Sequence, residues 1–294
     1  MLNSGNIQIL VESIDDTHVH SSMAMIVDAA TLAGSENAVI LGCGRCTEIP
    51  VRHLSTMFNR IDLVDLDDYA LEFVETQCQQ WEEARNSCTF YHADLTGLIS
   101  QIEPKAQKIV TSVTQPSSCL DELGQLLIST TPNFWRPLQD EKYNLIVCSA
   151  VLTQLQATVR KSVEDIYLNK FPGDSSALSL YKQWRSSIWT FARQLEDAFI
   201  DHLRSLLVPG GIIYLSDTVH ACWLLQSDPQ TFITEGAWIA TRTPRLADYL
   251  SSWEEIITER MWKWMRRGQE GQYWGRLYGV QAIIYRAQAR ESTG

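Results

Sequence analysis

Four apolar residues, Ala38-Val-Ile-Leu41, run directly into Gly42-Cys-Gly44, and nothing else in the chain narrows its fold as much. Side chains on a strand alternate between its two faces, so four apolar ones in a row need cover on both sides. That is the situation of a central strand in a parallel sheet. Two glycines immediately afterwards let the backbone turn tightly and approach a ligand without a side chain in the way. Similar apolar runs follow at Ile61-Asp-Leu-Val64, which leads into Asp65, and at Cys88–His92, just before Asp94. Two more lie at Tyr143–Ser149 and at Gly211–Ser216, the latter entered through Pro209-Gly-Gly211.

The intervening segments have helical spacing. They are Asp16 to Ala33 (stopped by Gly34), Thr47 to Phe58, Tyr69 to Arg85 and Leu120 to Ser129. Strands alternating with helices predict an α/β fold with a doubly wound, mostly parallel sheet. The whole of 1–294 reads as one domain, with an N-terminal helical segment over 1–34. A long helical insertion over 152–207 is broken at Phe171-Pro-Gly-Asp174 and is of the kind that builds a lid. Near the end, Thr258 to Arg266 and Leu277 to Tyr285 flank a turn at Gly268 to Gly271. They predict an antiparallel hairpin that closes the sheet, although Ser251 to Met265 is also compatible with a helix.

Composition removes several classes of function. The formal net charge is −11 with a pI near 5.0, a field that repels phosphate backbones. The one cationic cluster, Lys263, Arg266 and Arg267, is too small to reverse it, so no nucleic-acid partner is expected. Seven irregularly spaced cysteines suit reduced thiols and a cytoplasmic location. With no basic leader in Met1 to Gln8 and no long uninterrupted apolar run, neither a signal peptide nor a membrane span is expected.

The chemistry concentrates around the glycine turn. Asp65 lies about twenty residues beyond it at the end of the next strand, where a carboxylate can accept hydrogen bonds from both hydroxyls of a ribose. A dinucleotide fingerprint would place a third glycine and a helix start where this chain has Arg45-Cys-Thr-Glu48, and Glu48 would repel a pyrophosphate. Cys43 and Cys46 also form a Cys-x-x-Cys pair. The elements downstream are not in thioredoxin order, and no second pair of zinc ligands follows at suitable spacing.

In succession, Ile-Leu-Gly-Cys-Gly44, Val-Asp65-Leu-Asp, His-Ala-Asp94-Leu95, Tyr-Asn-Leu-Ile-Val-Cys-Ser149 and Leu-Val-Pro-Gly-Gly211 resemble the class I S-adenosylmethionine (SAM)-dependent methyltransferases. The resemblance spans about Ala38 to Asp217, and the final hairpin extends it. It implies SAM as cofactor, with Gly42, Cys43, Gly44 and Glu48 at the methionine end and Asp65 on the ribose. Leu66, Asp94 and Leu95 would border the adenine, with Ser149 and Ala150 beside the sulfonium. The chain departs from the family where Ile40 replaces an acidic residue, Cys46 a glycine and Gln154 a histidine; Glu48 or His20 is expected to substitute at the methionine end.

The expected activity is in-line methyl transfer to an oxygen (a carboxylate among them) or a nitrogen of a small, largely apolar metabolite. Two alternatives stand beside it: an inactive SAM-fold scaffold, and an aminopropyl transferase using decarboxylated SAM. A hydroxyl acceptor would need a base, for which His20, Asp217 and His220 are the candidates, with His18 beside His20. Ten tryptophans are many for this length. Tyr167, Tyr181, Trp184 and Trp189 are expected to line the acceptor pocket, and Trp223, Trp238, Trp262, Trp264 and Trp274 gather near the C-terminal elements.

Overall fold

The computed structural model describes residues 8–10, 12–137, 142–174, 178, 180–228, 231–240, 246, 254–267 and 274–287. The predicted turn at Gly268 to Gly271 lies outside them, as do the side chains of Trp223, Trp238 and Trp274. The contacts divide the chain into two compact units: 1–91, 142–150 and 207–294 form one, and 92–141 with 151–206 the other.

The first unit is built on a sheet. Its strands are β1 (Gln8–Leu10), β2 (Asn37–Leu41), β3 (Arg60–Asp65), β4 (Cys88–His92), β5 (Tyr143–Ser149), β6 (Leu207–Asp228), β7 (Thr231–Ala240), β8 (Glu254–Arg267) and β9 (Trp274–Ala287). The spatial order is β1-β7-β6-β5-β2-β3-β4, with β9 pairing both β6 and β8. Strands β3, β2, β5 and the first part of β6 run parallel. The pairs β6–β7, β6–β9, β8–β9 and β1–β7 are antiparallel.

The doubly wound architecture and closing hairpin are present, and Glu254 onward is strand rather than helix. Strand β6 is much longer than the apolar run Gly211–Ser216 predicts. It continues to Asp228, so Asp217 and His220 lie within β6 and not beyond its end. The reason is tertiary: β9 pairs with β6 along 212–225 and β7 from His220 onward, keeping the backbone extended.

One face of the sheet shows why these residues form strands. Ala38 and Ile40, Ile61 and Leu63, Leu145 and Val147, and Ile212 and Tyr214 all join a single buried cluster. At period two each row continues, at the carboxyl end of its strand, into Gly42, Asp65, Ser149 and Ser216. The apolar face thus turns polar at one edge.

Helix α1 (Glu12–Ala33) covers this face with Met25, Ile26, Ala29 and Ala30, spaced three and four apart, while Asp28, Thr31 and Leu32 stay exposed. Gly34 ends it at φ +82°. The predicted helix over Thr47 to Phe58 shrinks to α2 (Val51–Leu54), because tight turns take the residues before Pro50. The segment Tyr69 to Arg85 forms two helices, α3 (Asp68–Cys78) and α4 (Glu82–Ser87). The break carries Trp81 onto the core, with Arg52 above its ring.

Among the described residues, the long helices of the second unit are α5 (Ile99–Ser112), α6 (Pro116–Ser129), α7 (Leu152–Lys170) and α8 (Lys182–Leu206). Helix α7 ends at the Phe171–Asp174 turn, where the sequence predicts a break. Helix α6 passes α8 closely at Gly124, where a Cβ would lie 2.6 Å from Ser187 Oγ. No helix among the described residues is long and apolar enough to cross a membrane. All seven cysteines are free thiols.

Candidate functional site

The chain proceeds from β2 to β3 and β4 on one side, then crosses to β5 and β6 on the other. The loops leaving β2 and β5 therefore part at the carboxyl edge, the topological switch point where open α/β sheets bind ligands. Backbone strain gathers there. Gly42 and Gly44 have φ of +67° and +50°. Cys46 and Ala150, at +52° and +54°, are the two non-glycine residues with positive φ among the described residues. Each such residue costs about 1–2 kcal/mol. The structure holds them with specific bonds: Cys46 N–H donates to Cys43 O at 3.0 Å, and Ala150 N–H to Ser216 O at 2.8 Å. A Cβ at Gly44 would meet no atom within 4 Å, so the loop backbone faces open space.

Asp65 is bonded on both oxygens. Gly44 N–H donates to Oδ2 at 2.7 Å and Asp67 N–H to Oδ1 at 2.9 Å. One carboxylate thereby pins the glycine turn and the approach to α3, leaving further lone pairs for hydroxyl donors. Asp67 caps α3 by accepting from Tyr69 N–H and Ala70 N–H. Leu66, between them, is exposed.

Glu48 stands on the other side of the turn. Ser149 Oγ donates to its Oε1 at 3.2 Å and Thr47 Oγ1 to its Oε2 at 2.9 Å, while Ser149 and Ser216 hydroxyls lie 3.1 Å apart. Below them, Tyr214 Oη and Ser22 Oγ are buried without a well-aligned partner, although Tyr214 lies close to Ser216, Ser22 and Ser149. Burial pushes the Tyr214 phenol up to about 12. Buried hydroxyls around a carboxylate make a polar pocket suited to a charged, hydrogen-bonding group.

The structure thus brings Gly42, Cys43, Gly44, Glu48, Asp65, Leu66, Ser149 and Ala150 to one edge of the first unit. Asp94 and Leu95 belong to the second. There Asp94 accepts from Thr96 N–H and Oγ1 on one oxygen and from Ile99 N–H on the other, capping the entry to α5.

The base candidates scatter. Asp217 is fully buried, bonds Thr218 N–H at 2.6 Å, and alternates to the sheet face opposite Ser216. His220 is exposed on β6, four residues past Ser216 or about 13 Å along the strand. His20 is exposed on α1, whereas its neighbour His18 is buried beside Trp262. His18 and His20 fall in the polar first half of α1, where the sequence spacing gave little to separate the two.

Of the aromatics, Tyr167 and Trp184 belong to the core of the second unit, bonded to Asp174 and Glu164. Tyr181 bonds Asp121, and Trp189 is exposed. A groove of about 820 Å³ between α5 and α7 includes Gln154 but none of these four.

No family model matches the chain, and no curated protein does. Solved structures to which the chain is similar include the N-methyltransferase NodS from Bradyrhizobium japonicum WM9, at 11% identity and TM-score 0.44, covering 94% of this chain and 99% of that one. Another is magnesium protoporphyrin IX methyltransferase from Synechocystis PCC 6803 with bound SAM, at 12% identity and TM-score 0.41, covering 92% and 78%. The YcgJ protein from Bacillus subtilis has 10% identity and TM-score 0.44, covering 92% and 99%.

Proposed function

We propose that this chain is a class I SAM-dependent methyltransferase acting on a small molecule. The observation that carries the reading is the strained turn at the switch point. Gly42, Gly44, Cys46 and Ala150 all take left-handed backbone where β2 and β5 part, and Asp65 ties that turn to the end of β3. Such strain is kept where it serves a ligand.

The residues fit the cofactor part by part. Asp65 keeps lone pairs for ribose hydroxyls, and the open face of Gly44 admits a ligand close to the backbone. Glu48, with Ser149, offers an acceptor for an ammonium at the position where Ile40 leaves none. A dinucleotide is disfavoured, because no long helix starts at the glycine turn and Glu48 is where a pyrophosphate would dock. When bound, SAM would supply an electrophilic methyl group. The chain's own groups would bind and orient it. Asp217 and His220 are poorly placed as bases, which favours an acceptor that attacks without one, a carboxylate or an amine bound in its neutral form.

Calorimetric titration with SAM and S-adenosylhomocysteine, with NAD as control, tests the proposal. Micromolar binding of the first two without NAD is the expected result. Absence of both would leave the scaffold reading.

A further inference from the structure

Among the described residues the strand path ends at β1 and β4, and the branch through β9 ends at β8. Strands β1 and β4 have only three and five residues, and such short edges give another chain little to pair with. Strand β8 is different. It has 14 residues and pairs with β9 along its whole length. On its other side alternate residues turn their N–H and C=O groups outward, and among the described residues no strand takes them up. A long open edge of this kind is a template for a further strand.

The side chains of β8 differ between its two faces. Arg260 approaches Asp28 of α1 at 3.7 Å, Trp262 Nε1–H donates to His18 Nδ1 at 2.8 Å, and Trp264 stacks on the same imidazole at 4.8 Å. That face meets α1. Glu259, Met261 and Lys263 alternate to the other face and are exposed, Met261 by 60%. Charge is also sorted along the strand. Its acids, Glu254, Glu255 and Glu259, all precede its bases, Arg260, Lys263, Arg266 and Arg267. Charges on an edge usually keep other chains away. Here an antiparallel copy of the same strand would bring its basic half against the acidic half of the first.

We infer that the β8 edge is the interface with a second copy of this chain, the two strands pairing antiparallel about a two-fold axis at Met261. Such an axis stands perpendicular to the sheet, so directly opposed residues share a face and a one-residue slip between the strands is excluded. With Met261 on the axis, Glu259 of each copy lies opposite Lys263 of the other, and the two Met261 side chains meet between these pairs. On the α1 face Arg260 lies opposite Trp262 of the other copy, within reach of its indole ring. Moving the axis to Arg260 or Trp262 would instead set Glu259 against Met261 or Met265, losing both ion pairs. An interface of this symmetry closes at two copies.

The interface is independent of the cofactor and is tested without one, by sedimentation equilibrium of the full chain. The parent should show twice its 33.4 kDa. Glu259→Lys sets base against base at both symmetry-related positions, and Lys263→Glu sets acid against acid. Each variant should dimerise about tenfold or more weakly than the parent. Added salt should weaken the parent dimer and strengthen that of Lys263→Glu, because it screens attraction in one and repulsion in the other. Glu259 also accepts from Gln281 Nε2 at 2.6 Å, so denaturant unfolding accompanies Glu259→Lys. If that variant folds poorly, the reversed salt dependence of Lys263→Glu decides alone.

An equimolar mixture of the two variants gives the sharpest readout. In a mixed pair two bases face two acids, so the dimer should return with an affinity close to that of the parent. A parent that stays at 33.4 kDa up to about 100 μM would overturn the inference. Assembly beyond two copies would overturn it as well. So would a dimer indifferent to both charge reversals, which would place the contact on another surface, or a mixture of folded variants that remains monomeric.

Discussion

Replacing Asp65 by alanine removes two acceptors at once. Its oxygens take Gly44 N–H at 2.7 Å and Asp67 N–H at 2.9 Å, and the proposed ribose contacts use the remaining lone pairs. A hydrogen bond to a charged group contributes about 1.5–3 kcal/mol. Both N–H groups lie in partly exposed loops and can turn to water, so the loss in folding stability should fall near the lower figure. Affinity has no such compensation, because the turn loosens and the ribose loses its acceptor together. One such bond corresponds to roughly 10- to 150-fold weaker binding, and a loosened turn adds to it. Asparagine should do little better, since its single amide oxygen can serve only one of the two N–H groups and its amide nitrogen would oppose the other. The assay is calorimetric titration of parent, Asp65→Ala and Asp65→Asn with S-adenosylhomocysteine, beside denaturant unfolding of each. Affinity in Asp65→Ala within about threefold of the parent, with the parent binding, would refute the placement of the ribose on Asp65.

Gly44→Ala puts a methyl group at φ +50° into open space; denaturant unfolding should show about 1 kcal/mol of lost stability. Its effect on cofactor affinity should be larger, because the methyl fills the backbone's approach to the ligand. Arg60→Met leaves Asp62, fully buried and bonded to both Arg60 and Tyr143, without its counter-charge, and chemical unfolding should show a loss of about 3–5 kcal/mol. His18 has a folded pKa below its ordinary 6.5 because burial disfavours the imidazolium. Its stabilising contribution is therefore complete above about pH 6.5 and drains away as pH falls through the lowered folded value. Unfolding free energies measured across that window should fall more steeply in the parent than in His18→Phe.

Much of the fold was legible because parallel strands announce themselves locally. Ala38–Leu41 and Tyr143–Ser149 are apolar on both faces, and burial on both faces is what a central strand requires. The glycine turn and Asp65 were legible for a similar reason: a left-handed backbone selects glycine, and a strand-end carboxylate is a visible departure from an apolar run. Cys46 and Ala150 gave no such sign, since their left-handed conformations are imposed by bonds to Cys43 and Ser216 and not by residue type.

The sequence by itself thus determined the parallel strands, the closing glycine of α1 and the acidic end of β3, all of which depend on periodicity or local backbone chemistry. Only the tertiary structure decided the rest. The length of β6 came from pairing with β9, distant in sequence, and with the adjoining β7, which extended the strand through Asp217 and His220. The choice between His18 and His20, two residues apart on one helix, fell to which side of α1 met Trp262 and Trp264. Tyr167 and Trp184 were likewise claimed by the packing of α6, α7 and α8. An aromatic side chain buries the same apolar area in a core as in a pocket, and its sequence neighbours do not say which one surrounds it.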